Sequence, residues 1–578
     1  MAKSSVSTFR SDMLCKARDV LTETVRSTPL TSAPDAALMF PTLTSAQIAR
    51  IASHGVTRPV TRGEVLIEGG QTDVPFFVVK AGEIEVIRPS GLGNLLIAVL
   101  RPAQFTGDIS MILGRPAQMR LSVSESGQLV ELTRDQMHDL IQTDAEISDV
   151  LMRALIHRRI ALVAQGIGDA LLIGSGRSAA TLRIKEFLTR NAHPFKYLDL
   201  DRDADVQDLL DRFHVDRTDV PVLICRGAAV LKRPSNQEIA ERLGFNERID
   251  RNHLRDVVIV GAGPAGLAAA VYAASEGLDA LVIEASSPGG QAGSSSRIEN
   301  YLGFPTGISG QELAGRAYAQ AQKFGATVMI AKGAVQLTCE ERPYGVRLDD
   351  GATIPARTVI IATGARYRKP SLANLEQFEG AGVYYSATFM EAQLCTGDEI
   401  VVVGGANSAG QAAVFLARTV RRVHLLVRSS NLSASMSRYL VRRIEEIPTI
   451  QIRTRTEIVA LDGDGHLERV RWRDGTGGVT SHGIRHVFLM TGAEANTGWL
   501  SGCVALDEKG FVKTGQDLTE QDLAAVQWSL GRSPYLLETS RPGVFAVGDV
   551  RCGNIKRVAS AVGEGSIAIS FVHRVLAE

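Results

Sequence analysis

The chain has 578 residues, 45% of them hydrophobic and 22% charged, which is room for about three or four ordinary soluble domains with ample core. Lys+Arg and Asp+Glu both number 63, so charge marks out neither nucleic acid nor an anionic membrane as a partner. No apolar run reaches the roughly 18 residues of a spanning helix, and the first residues, MAKSSVSTFRSDMLCKARD, lack the apolar centre of a signal peptide, so the expected location is the cytoplasm.

Residues 1–35 are Ser/Thr-rich and polar, and are expected to be a flexible tail. Residues 43–54 predict a helix. Short strand-like pieces follow at regular intervals: GEVLIEGG (63–70), FFVVKAGEIEVI (76–87), NLLIAVLRP (94–102) and QLVELT (128–133). Glycine-containing turns separate them, the pattern of a small antiparallel β-roll, and residues 134–163 read as helix. The carriers Gly63-Glu64, Val78, Gly82-Glu83-Ile84 and FTGDISMILGRPAQMRLSV (105–123) make residues 36–165 resemble the cyclic-nucleotide-binding domain. That resemblance implies a phosphate-binding cassette with a Gly-Glu pair for the ribose and an Arg some ten residues on for the phosphate. Here the pair is Gly107-Asp108, and Gln118 stands at the Arg place between Arg115 and Arg120, which removes the charge-assisted contact a phosphate needs. A cyclic nucleotide at a degenerate site, a structural or dimerising β-roll, and a protein-binding module all stay open.

Residues 169–247 read as strand 170–174, helix 178–191, strand 195–201, helix 205–215, hairpin 219–232 and helix 236–244. With Val220-Pro221-Val222 before the third strand, this order resembles a thioredoxin/glutaredoxin domain, in which that proline is cis. The redox cysteines of that family fall on the turn Ser175-Gly176-Arg177-Ser178, which has none. The implied unit is a redox-dead adaptor.

Asp256 to Glu284 spells a dinucleotide site. Val257-Val258-Ile259-Val260 is a buried strand of a parallel sheet, and Gly261-Ala262-Gly263-Pro264-Ala265-Gly266 follows at once. Gly261 suits the tight turn, Gly263 lets a pyrophosphate reach bare backbone, and Gly266 lets the following helix sit close to the strand. The second strand ends in Glu284-Ala285, where the carboxylate can accept ribose hydroxyls. EIVVVGGANSAGQ (399–411) repeats this logic with Gly404, Gly405, Asn407, Ser408 and Ala409. The next strand ends in Arg428-Ser429 rather than an acid, which favours the 2′-phosphate of NADPH while leaving NADH possible.

Several further phrases lie in the right order for a resemblance to thioredoxin reductase over residues 253–578, including relatives of that family without its disulfide. They are Gly289-Gly290-Gln291 with Asn300, Ala362-Thr363-Gly364, Gly548-Asp549 and Arg557-Val558-Ala559. The resemblance implies FAD in a split domain (253–372 and 495–578), NAD(P)H in an insertion (373–494), and a homodimer. It places Gln291 and Asn300 around the flavin edge and ribityl chain, Asp549 on a ribityl or pyrophosphate-side hydroxyl, and Arg557 to Ala559 beside the isoalloxazine. Ala406 stands where the family has the glycine of closest pyrophosphate approach.

The family's Cys-Ala-Thr-Cys is replaced by Ser386-Ala387-Thr388-Phe389. Cys15, Cys225, Cys339, Cys395, Cys503 and Cys552 are scattered, with no CxxC. A local redox dithiol and a clustered metal site are thereby excluded. The expected whole is a multidomain α/β chain: β-roll with helices, thioredoxin-like unit, then two Rossmann-like domains for FAD and NAD(P). Its expected activity is an NAD(P)H-dependent FAD oxidoreductase whose flavin passes electrons to an external acceptor such as ferredoxin, a quinone or dioxygen, with no catalytic side chain nominated. Disulfide reduction through partner dithiols, and a flavin-containing sensor with weak turnover, are the alternatives.

Overall fold

A computed structural model describes residues 29–578 except 91–92, 177, 203–215, 226–228, 434 and 529. The expected helix 205–215 therefore lies outside the described residues, as does most of the expected tail. The chain divides into two compact units, one comprising Gly176–Glu186, Asp250–Tyr318 and Lys332–Glu578, the other the remainder. Among the described residues no helix is long and apolar enough to cross a membrane.

The remainder opens with a β-roll. Strands Val56–Val60, Arg120–Leu132, Phe76–Ser90 and Gly93–Leu100 lie side by side in that order, with Val65–Ile67 also on Arg120–Leu132; every pairing is antiparallel. Alternate residues of the long strands, such as Leu121, Val123 and Leu129, turn into one apolar core. Leu30, assigned from sequence to a polar tail, is only 3% exposed in that core. The helix expected over 134–163 is two, Arg134–Thr143 and Ala145–Ala164. Asp144 breaks it by taking extended backbone and capping the second helix, its carboxylate accepting from Ile147 N–H at 3.0 Å. The same unit holds a four-stranded sheet ordered Phe195–Asp199, Ala170–Gly174, Val222–Cys225, Ala229–Lys232, parallel in its first pair and antiparallel in the others. The Val220–Pro221 peptide is cis.

In the unit that contains Asp250–Tyr318, strand Arg255–Val260 lies between Ala280–Glu284 and Thr353–Ile361, parallel to both. Val544–Ala546, nearly 200 residues later in the chain, returns to pair with Thr353–Ile361. Tyr344–Leu348 and Ala334–Thr338 extend the sheet antiparallel. Both faces of Val257 to Val260 are buried, which is why the strand reads as an unbroken apolar run. Helix Pro264–Ser275 is buried from Ala265 to Ala270 and at Ala273, which is why its first two turns are apolar on every face, while Tyr272 reaches solvent. A Cβ on Gly565 of helix Val558–Ala577 would stand 2.2 Å from Ala265 O, so the two helices meet at backbone contact.

A second parallel sheet runs Val383–Tyr384, Val487–Leu489, Glu399–Val403, Arg422–Val427, Ile450–Thr454. An antiparallel ribbon, Ala365–Tyr367 against Ala493–Ala495, carries the chain into this insertion and out again. The ribbon puts the glycine turns of both sheets in the same unit.

Candidate functional site

Crevices of parallel sheets open at the carboxyl ends of their strands, and the predicted residues gather there. Gly261 has φ +107, and a side chain on it would meet Ala362 O at 2.3 Å. A Cβ on Gly266 would come within 1.8 Å of Gly261 O. Gly263 differs: its nearest non-neighbouring atom would be Gly290 Cα, 3.9 Å away. Gly261 and Gly266 are glycines for packing, whereas the Cβ position of Gly263 is left open among the described residues. Pro264 opens the helix at N1, so the N–H groups of Ala265 and Gly266 have no intrahelical acceptor.

The Gly289-Gly290-Gln291 turn lies against this loop. Gly289 N–H donates to Ala262 O at 2.7 Å, and Gln291 Nε2 donates to Ala365 O. A Cβ on Gly290 would touch Gly263 Cα at 3.1 Å, so two bare backbones line one narrow cleft. Glu284 is held at the strand tip by backbone donors: Ala262 N–H at 2.8 Å, Ser286 N–H at 2.9 Å and Ser287 N–H at 3.2 Å. Ala285 beside it is exposed, as is Asn300. Thr363 Oγ1 donates to Asn496 O at 2.8 Å, and Asn496 Nδ2 returns a bond to Thr363 O at 2.9 Å, locking the two crossings of the ribbon. Asn496 went unassigned in the sequence, where it is one polar residue in a loop.

Gly548 takes φ +73, and its N–H donates to Glu564 Oε2 at 2.7 Å. Glu564 Oε1 also receives Arg551 Nη2 at 2.7 Å and Asn554 Nδ2 at 2.8 Å, so one carboxylate orders residues 548–554. Sequence reasoning missed it, although a lone acid inside the apolar helix VASAVGEGSIAISFV was a visible signal. Asp549 has no hydrogen bond among the described residues. Burial, then Glu564, push its carboxyl above the ordinary aspartate range, against the pull of Lys556. Arg557 is the N-cap of the last helix and Val558 and Ala559 its first residues; Arg557 and Ala559 face solvent.

The second turn repeats the first with one change. Gly404 has φ +144, and a Cβ there would stand 2.5 Å from Met490 O. Ala409, fully buried, takes the position of Gly266, and Ala406, in the position of Gly263, is the N-cap of helix Asn407–Leu416 without a side-chain cap. Asn407 Oδ1 accepts from Ser437 N–H at 2.8 Å and Ser437 Oγ at 3.0 Å. Ser435 Oγ donates to Gly405 O at 2.9 Å, so the 435–437 segment braces the turn. Arg428 is exposed at its strand end, and Ser429 Oγ donates to Asn431 O at 2.7 Å. Tyr367, in the ribbon, was also missed; burial raises its phenol, with the Ser408 hydroxyl opposing and Asp549 adding to the shift.

At the position where the resemblance to thioredoxin reductase places Cys-Ala-Thr-Cys, Thr388 caps helix Phe389–Leu394 in a capping box with Glu391. Glu391 carboxylate accepts from Thr388 N–H at 2.8 Å and from the hydroxyls of Thr388 and Ser386; burial pushes its carboxyl up. Cys395 is buried, its thiol pushed up to about 12 and donating to Glu391 O, an inert arrangement.

Nothing in the sequence hints that Cys339 and Cys503, 164 residues apart, join in a disulfide. Local spacing rules cannot see such a pair. Cys339 follows Thr338, whose strand connects through Tyr344↔Ala356 to Arg255, the first residue of the strand ending at Gly261. Six residues at about 3.3 Å each put the disulfide roughly 20 Å from the Gly261 turn, toward the amino ends of these parallel strands.

Comparison with known proteins matches residues 255–565 to the pyridine nucleotide-disulphide oxidoreductase family and residues 57–144 to the cyclic nucleotide-binding domain family. A thioredoxin reductase of Mycolicibacterium smegmatis is 36% identical over 332 residues, covering 56% of this chain and 97% of that one. A thioredoxin reductase of Ureaplasma parvum is 32% identical over 320 residues, 55% of this chain and 95% of its own. The NADPH-dependent thioredoxin reductase 3 of Arabidopsis thaliana is 31% identical over 368 residues, 61% of this chain and 65% of that protein.

Proposed function

The chain belongs to the pyridine nucleotide-disulphide oxidoreductase family, and from that premise we propose that it is an NADPH-dependent flavin oxidoreductase that gives electrons to an external acceptor without a dithiol of its own. Thioredoxin reductase-like homologues are FAD- and NADPH-dependent. The residues present fit a flavin dinucleotide on two counts. The Cβ position of Gly263 is open, its nearest atom 3.9 Å away, so a pyrophosphate can approach bare backbone there, and the Asp549 carboxylate lacks a hydrogen-bond partner among the described residues.

Bound FAD would supply the two-electron sink for a hydride from NADPH. The chain's part is to bind, orient and polarise. The N-terminus of helix Pro264–Ser275 offers N–H groups to the phosphates. Glu284, fixed by three backbone donors, presents its carboxylate to the ribose. Asp549 accepts a hydroxyl, and the N-terminus of helix Val558–Ala577 adds positive potential beside it. The turn Gly404 to Ala409 serves NADPH, with Arg428 against the 2′-phosphate.

The observation that carries the reading is the Ser386–Thr388–Glu391 cluster. A hydrogen-bonded cap occupies the position the resemblance assigns to a dithiol, and such a group cannot exchange with a substrate disulfide. The Cys339–Cys503 pair, toward the amino ends of the parallel strands, lies off the route from the glycine turns. Residues 169–247 are read as a thioredoxin-like adaptor, a reading supported by the order of their four strands, and the homodimer is read from the resemblance.

The test is an anaerobic NADPH titration of the FAD-loaded full chain, followed by flavin absorbance, with ferredoxin, a benzoquinone, dioxygen and oxidised thioredoxin as acceptors. Stoichiometric bleaching, then reoxidation by the first three but not by thioredoxin, is the expected result. Rapid thioredoxin turnover by this chain alone would overturn it.

A further inference from the structure

The β-roll and helix Ala145–Ala164 line a partly open cavity of about 110 Å³. Its walls are mainly apolar, among them Leu30, Ile67, Ile97, Met111 and Met119. Arg158, Arg115 and Ser110 also line it, each no more than 5% exposed. Arg158 sits between the rings of Phe40 and Phe105, its carbon 4.6 and 4.7 Å from their centroids. Its Nε donates to Met39 O and its Nη1 to Gly107 O, both at 2.7 Å, while Nη2 is buried with no partner among the described residues. Arg115 Nε and Nη2 and Ser110 Oγ are likewise buried without partners among the described residues.

Charge is unbalanced in the same place. Asp108 caps Ser110 N–H at 2.7 Å and pairs with Arg159 Nη1 at 3.4 Å. Asp169 is paired with His193 at 2.9 Å. Arg159 takes Asp108 and His193 takes Asp169, so among the described residues neither Arg115 nor Arg158 has an ion pair. A buried cationic donor without a partner is costly, and an anion entering the cavity would relieve that cost.

The two groups a cyclic nucleotide needs are committed elsewhere. Asp108, at the ribose position, is held as described, and Gln118, at the phosphate position, accepts from Arg159 Nη1 at 3.2 Å. Sites for ligands of nucleotide size measure about 300–1,000 Å³, whereas an apolar cavity of about 150 Å³ takes a benzene ring.

We propose that this cavity binds a small apolar carboxylate, one aromatic ring or short acyl chain with a single anionic head, seated against Arg158 Nη2 and Ser110 Oγ, and not a cyclic nucleotide. The inference is independent of the acceptor of the flavin. It is tested by titration calorimetry on the FAD-loaded full chain with benzoate, hexanoate, benzyl alcohol, cAMP and cGMP. One of the two carboxylates is expected to bind at least tenfold more tightly than benzyl alcohol and than either cyclic nucleotide. Arg158→Gln is expected to weaken it at least tenfold. Ala117→Leu, which narrows the half-buried wall without touching charge, is expected to abolish it, and serves where Arg158→Gln fails to fold. No carboxylate binding, tighter cyclic nucleotide binding, equal affinity for the alcohol, or binding undiminished in Ala117→Leu would each overturn the proposal.

Discussion

Glu564 Oε2 accepts the Gly548 N–H at 2.7 Å, so a residue in the middle of the last helix fixes the loop that presents Asp549. Its other oxygen takes Arg551 and Asn554, in a setting where both ion-pair partners are less than a fifth exposed. Glu564→Ala strands these donors and should cost about 2–3 kcal/mol by denaturant unfolding. FAD retention on gel filtration should fall with it. Glu564→Gln keeps the carbonyl acceptor for Gly548 and loses the charge, so its effect should be clearly smaller.

The two helix-side glycines should separate stability from binding. Gly266→Ala forces a Cβ to 1.8 Å from Gly261 O and should destabilise the fold by about 3 kcal/mol or more. Gly263→Ala meets nothing within 3.9 Å, so thermal melting without flavin should be nearly unchanged. Its FAD affinity, read by flavin fluorescence, should still drop by roughly tenfold or more, because the methyl occupies the pyrophosphate approach. Equal melting temperatures for the two variants would contradict this division.

Asp549 gives a signed pH effect. Its folded carboxyl lies above its ordinary value, chiefly through burial, so the neutral form is favoured in the folded chain. That contribution is fully present below the ordinary aspartate range and is lost as pH rises through the raised value. Asp549→Asn stays neutral throughout, and without flavin its stability advantage over the parent should grow with rising pH and then level off. With FAD the order reverses: loss of a charge-assisted acceptor should weaken binding roughly 10- to 100-fold. Differential scanning calorimetry across pH, with and without FAD, reads both.

Arg428 should decide between the two nicotinamide nucleotides. It is exposed, so its contact with a 2′-phosphate is screened by salt. Arg428→Ala is expected to raise KM for NADPH by roughly tenfold at low ionic strength and to leave KM for NADH unchanged. The NADPH effect should shrink in added salt, and equal losses for both nucleotides would remove Arg428 from this role.

By itself the sequence determined what depends on short spacing. The runs Val257 to Val260 and Ile400 to Val403, each entering a glycine turn, are local facts of strand, turn and helix, and they fold as read because both sheet faces are buried. The absence of a CxxC and the Ser386-Ala387-Thr388-Phe389 substitution were equally legible. The tertiary structure alone decided what joins distant residues: Glu564 beneath Gly548, Asn496 locking Thr363, and Cys339 on Cys503. It also divided the glycines, since only the neighbouring atoms tell a turn that has no room from one that leaves room for a ligand. The Arg158 cavity has the same origin. A guanidinium on a helix reads as solvated surface until the β-roll closes over it, and only then does its unpaired Nη2 point to an anion.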